Sequence, residues 1–83
     1  SPMARKMSDQ TYNILRSLAR IGPEVRPIEI AERLGLSAQQ VSNALFYMYK
    51  RGLVDRREHL ANQPRDKRSV FYSITEKGLS QLG

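Results

Sequence analysis

Apolar residues recur at helical spacing three times along this chain, and then at alternating spacing near its end. Tyr12, Leu15 and Leu18, with Ile14 beside them, mark one face of a first helix. Ser8 can cap it, and Gly22-Pro23 ends it after about Ala19 to Ile21. Ile30, Ala31 and Leu34 mark the inward face of a second helix. Pro27 sits in its first turn, where a missing N–H costs nothing, and Gly35 can take the left-handed conformation that closes it. Ser37-Ala38-Gln39-Gln40 has the form of a capping box and opens a third helix, predicted over Ala38 to Arg51 with Gly52 as its C-cap. A strand is predicted from Leu53 to Arg57. Its partner runs from Ser69 to Ile74, with Val70, Tyr72 and Ile74 on one face and Phe71 and Ser73 on the other. Between them, Glu58 to Arg68 reads as a polar loop too long for a tight turn, and Pro64 argues against continuous pairing. Thr75 caps a short last helix, Glu76 to Leu82, expected to pack Leu79 and Leu82.

This order predicts an α+β fold, a small winged helix-turn-helix with a three-helix core, a two- or three-stranded β-wing and a short C-terminal helix. Eighty-three residues leave room for a single core. The chain therefore reads as a single domain over 1–83, with a flexible basic arm at 1–7, the helix-turn-helix at 27–52 and the wing at 53–74.

The net charge of +6 is unevenly placed. Residues 1–20 carry Arg5, Lys6, Arg16 and Arg20 against Asp9, whereas residues 21–49 carry Arg26 and Arg33 against three glutamates. Residues 50–68 hold seven bases (Lys50, Arg51, Arg56, Arg57, Arg65, Lys67 and Arg68) against Asp55, Glu58 and Asp66. Solubilising charge would spread evenly. Clustering on both sides of the third helix favours a polyanion footprint.

The third helix carries the chemistry. With Val41 as the core direction at about 100° per residue, Ala44, Leu45 and Met48 fall on the buried side. Gln39, Asn43, Phe46 and Lys50 lie opposite, with Gln40 and Tyr47 at one edge and Ser42 at the other. No acidic residue occurs from Ser37 to Arg51. Amide side chains pair bidentately with adenine edges, aromatic and methyl groups contact the thymine methyl, and the lack of carboxylates removes repulsion from phosphate. An exposed Phe46 beside Tyr47 and Tyr49 equally suits packing against the hairpin or a partner protein. Met48 is most simply core filling.

Other chemistries find no footing. Without cysteine there is neither a disulfide framework nor a thiolate metal site, and lone His59 reads as a surface histidine. No nucleophile sits with a base and an orienting acid, and no glycine-rich phosphate loop occurs, so neither enzyme activity nor a cofactor is expected. No apolar run approaches the ~18 residues of a membrane span. The expected location is cytoplasmic and nucleoid-associated.

The segment Ile30-Ala31-Glu32-Arg33-Leu34-Gly35-Leu36-Ser37, with Val41-Ser42, Leu45 and Gly52-Leu53-Val54-Asp55-Arg56, resembles the DNA-binding domain of the MarR family of transcriptional regulators. Asp66-Lys67-Arg68, followed by Val70, Tyr72, Ile74-Thr75 and Gly78, is similar to that family's wing signature. The resemblance covers about fifty residues. It implies that Ser37, Gln39, Gln40, Ser42, Asn43 and Tyr47 face DNA bases or backbone, and that Arg68 enters the minor groove, steadied by Asp66. MarR-family regulators also have long terminal helices that form a dimer and enclose a ligand pocket. This chain has only a short first helix and a shorter last one, so the ligand pocket is not carried over. Domains that bind left-handed DNA share the fold, but they pair an asparagine with a tyrosine four residues later, where this chain has Ser42 and Phe46.

The expected function is sequence-specific binding of double-stranded DNA as a transcriptional regulator. The third helix would enter the major groove, with Gln39, Gln40 and Asn43 reading base edges and Lys50 at its end. Arg65, Lys67 and Arg68 would hold backbone or minor groove, and Arg5 and Lys6 a neighbouring phosphate run. A homodimer on a palindromic site is the expected assembly for this fold. The competing reading is a winged helix used as a protein-interaction module in a replication or transcription assembly.

Overall fold

The computed structural model describes residues 7–59 and 69–83. Helix α1 spans Asp9–Ile21, α2 Pro27–Leu34 and α3 Ala38–Lys50; strand β1 spans Val54–His59, β2 Ser69–Ile74, and α4 Glu76–Ser80 closes the order. β1 and β2 form an antiparallel two-stranded sheet. Val25, between α1 and α2, adds an isolated bridge to Tyr72, with an N–H···O bond of 2.8 Å in each direction. The third strand of the wing is thus reduced to one residue, and the expectation of two or three strands resolves to two.

Local chemistry explains the helix limits. Ser8 accepts from the Thr11 amide at 3.2 Å and starts α1. Pro27 opens α2, where the Glu29 carboxylate caps the Arg26 N–H at 2.8 Å. Gly35 takes φ 68°, and the amides of Gly35 and Leu36 both turn back to the Ala31 carbonyl. That turn lets α3 start at Ser37 at an angle to α2. The Ser37 hydroxyl accepts from the Gln40 amide at 3.1 Å, and the Gln40 side-chain oxygen accepts from the Ser37 amide at 3.0 Å.

The core is one cluster: Ile14, Leu15 and Leu18 from α1, Ile30 and Ala31 from α2, Val41, Leu45 and Met48 from α3, with Val25, Leu53, Val54 and Tyr72. Every helix thus contributes the face its periodicity marks, except α4. Tyr12 is only half-buried and stands outside the cluster; Leu34 and Ala44 are partly buried at its rim, and Met7 also packs against it. The basic arm of 1–7 therefore gives up Met7 to the fold, and its remaining residues, including Arg5 and Lys6, lie outside the described ones.

Several boundaries differ from the expectation. α3 ends at Lys50 with Arg51 as C-cap, one residue early, because Gly52 at φ 80° forms the reverse turn beyond the cap. β1 begins at Val54 and continues through Glu58 and His59, two residues into the expected loop, because the register carries on as Glu58↔Val70 and His59↔Ser69. α4 stops at Ser80, and Leu79 is 52% exposed instead of packed. The short helix lies on its buried Gly78 instead, and Leu82 packs from the tail beyond it.

Candidate nucleic-acid interface

The packing of Val41, Leu45 and Met48 fixes which side of α3 meets solvent. Gln39, Gln40, Asn43, Phe46, Tyr47 and Lys50 are exposed, Ser37 is exposed at the cap, and Ser42 is half-buried. Seven of the ten residues singled out from the sequence are therefore brought onto one cap and helix surface. Arg65, Lys67 and Arg68, the other three, lie outside the described residues, as does Asp66.

Within that surface the amides are not independent. Gln39 Nε2 donates to Asn43 Oδ1 at 2.9 Å, one turn apart. The pair leaves the Gln39 oxygen as an acceptor and the Asn43 amide nitrogen as a donor facing outward. Gln40 has a divided role: its side-chain oxygen is committed to the Ser37 amide, so it offers chiefly its N–H donors.

The edge of α3 nearer the wing forms an open cleft of about 320 Å³, bounded by Ser42, Asn43 and Phe46 on one side and Arg56, Val70 and Tyr72 on the other. Phe46 is 44% exposed, and its ring has Lys50 Nζ at 5.4 Å and the Arg56 guanidinium at 5.8 Å. Arg56 Nε donates to the Tyr72 hydroxyl at 3.3 Å, and Nη1 pairs with Glu58 at 3.1 Å. The hydrogen bond to Tyr72, with Glu58 adding, raises the Arg56 pKa above its ordinary value. At the opposite edge the Arg51 guanidinium lies 4.7 Å from the centre of the Tyr47 ring.

Arg51 and Arg56 as partners of the aromatic rings were missed from the sequence, although packing of Phe46 against the hairpin was one of the two readings given for it. A signal was present for Arg56. Period-two alternation from the buried Val54 puts it on the strand face turned toward α3. The whole arrangement presents hydrogen-bonding amides flanked by cations, with no carboxylate on the helix, and suits a polar, negatively charged surface.

The sequence profile of the MarR family matches residues 6–69. No curated protein matches the chain. Among solved structures, the PcaV transcriptional regulator from Streptomyces coelicolor, solved with its natural ligand, superposes with a TM-score of 0.73 at 23% identity, over 94% of this chain and 52% of that one. Wild-type MarR from E. coli gives 0.72 at 22%, over 98% and 55%. A mutant MarR from E. coli complexed with operator DNA gives 0.72 at 22%, over 98% and 53%. The chain spans about half the length of these structures, and at such identities the likeness speaks for the fold. The profile match covers well over half of the sequence and includes both the helix-turn-helix and β1, so the chain belongs to the MarR family.

Proposed function

We propose that this chain is the duplex-DNA-reading domain of a transcriptional regulator, with α3 as the recognition helix in the major groove. The observation that carries this reading is the outer face of α3: a Gln39–Asn43 amide pair between two cation-bearing aromatic rings, with no carboxylate on the helix. Asn43 and Gln39 read base edges, Gln40 donates, and Ser37 and Ser42 contact backbone at the helix start and edge. Tyr47 and Lys50 extend the contact along the groove. Arg65, Lys67 and Arg68, in the segment joining the two strands, supply charge to the backbone or minor groove. Family membership supports the reading, as does likeness to a MarR structure solved with operator DNA. The regulator works as a homodimer on a palindromic operator, in the cytoplasm and on the nucleoid. Selection from a random duplex pool tests this: an enriched inverted repeat with half-sites about 10 base pairs apart is expected. A pool that never enriches contradicts it.

One observation favours a second reading. Phe46, Tyr47 and Tyr49 are 44%, 46% and 40% exposed, an aromatic patch that also suits a protein partner. Association through Phe46 in the absence of DNA, abolished by Phe46→Ala, is the outcome specific to that reading.

A further inference from the structure

The exit of α3 is held by more contacts than a helix end requires. The Leu53 amide donates to the Met48 carbonyl at 2.9 Å and the Gly52 amide to Tyr49 at 3.0 Å, which already completes a reverse-turn stop. Three carbonyls further on, those of Arg51, Gly52 and Leu53, are taken up by the segment that starts α4. Lys77 Nζ donates to the Arg51 carbonyl at 2.9 Å. The Thr75 hydroxyl lies 2.7 Å from the Gly52 carbonyl and 2.9 Å from that of Leu53, so its single proton is shared between them. The Thr75 amide donates to Leu53 as well, at 3.1 Å, and its hydroxyl oxygen accepts from the Gly78 amide at 3.0 Å. Gly78 is buried so close beneath this point that a Cβ would overlap the Leu53 carbonyl.

Apolar burial, through Leu82 and the partly buried Ile74, explains only part of this attachment. α4 is only five residues long, its Leu79 is largely exposed, and Lys77 is at the surface. What the contacts hold is the turn over residues 51–53 that leaves α3; its amides bond back to the Met48 and Tyr49 carbonyls of the last helical turn, which also carries Tyr47 and Lys50. The geometry points to Thr75 and Lys77 as positioning residues for DNA recognition: they anchor the turn that leaves α3, and through it the orientation of the helix end. This rests on the reading of α3 as a recognition helix.

Base readout demands a fixed helix orientation, whereas non-specific binding depends mainly on total charge and tolerates a loose one. The ratio of affinities for a selected duplex and for a mixed-sequence duplex of equal length therefore separates positioning from mere stability. It is to be measured for the wild type, Thr75→Val, Thr75→Ser and Lys77→Met, under conditions where denaturation curves show each fully folded. Thr75→Val and Lys77→Met should each lower the ratio roughly fivefold, the scale of one net hydrogen bond, and Thr75→Ser should keep it. If Thr75→Val does not fold, Lys77→Met decides alone. An unchanged ratio in the folded variants, with the wild type discriminating normally, overturns the proposal and leaves the DNA-reading function intact. A wild type that binds neither duplex overturns both.

Discussion

In the proposed reading of duplex DNA, Asn43 is the residue on which base recognition turns. Its side chain is held by Gln39 across one helical turn, so its orientation is set before any partner arrives. Asn43→Ala removes an amide from the surface and also releases Gln39. The expected result is a loss of about 1–3 kcal/mol on the preferred duplex with little change on mixed sequence, read by competition titration. Ser37 has a structural duty that precedes any contact with backbone, since its hydroxyl satisfies the Gln40 amide. Ser37→Ala should cost ~1 kcal/mol of folding stability in urea denaturation. A variant as stable as the wild type would mean that the capping box contributes nothing to the fold.

At the scale of elements, the domain works by joining α3 to its neighbours at both ends. The Gly35 turn sets its start, and the Thr75 segment meets its end. On its flank, Phe46 meets Arg56 of β1, which is itself tied to Tyr72 of β2. Leu45 lies at the centre of the core beneath this surface. Leu45→Ala should therefore destabilise the fold by about 2–5 kcal/mol, measured by chemical denaturation. Helix starts were legible in the sequence because their causes are local: Ser8 and Ser37 accept from amides three residues on, and Pro27 occupies a first turn where its missing N–H costs nothing. The wing and α4 were less so, because their limits are set by partners distant in the chain. Glu58 and His59 have poor strand propensity, yet they pair because Val70 and Ser69 stand opposite. Leu79 has the spacing of a core residue, but α4 is seated on Gly78, and a hydrophobic pattern cannot register a residue without a side chain. The Gln39–Asn43 face was legible, whereas the Arg56–Phe46 contact depends on a strand register that spacing alone does not give.

If the chain reads duplex DNA as proposed, then for the molecule as a whole charge decides encounter and geometry decides choice. On the proposed reading, a net charge of +6 on 83 residues would draw the domain to any duplex. In the proposed docking, the carboxylate-free helix then discriminates among sequences. Arg68→Ala should weaken binding to all sequences alike and reduce the steepness of the salt dependence by about one in the log–log slope. An effect confined to the selected duplex would assign Arg68 to base reading instead. The most direct test of duplex binding itself is a fluorescence-anisotropy titration of the wild-type chain against mixed-sequence duplex DNA at several salt concentrations. The expected result is binding in the range of roughly 10⁻⁴ to 10⁻⁶ M at physiological salt, with log affinity falling linearly as log salt rises. Absence of binding even at low salt would contradict a DNA-reading role and leave the aromatic face of α3 to a protein partner.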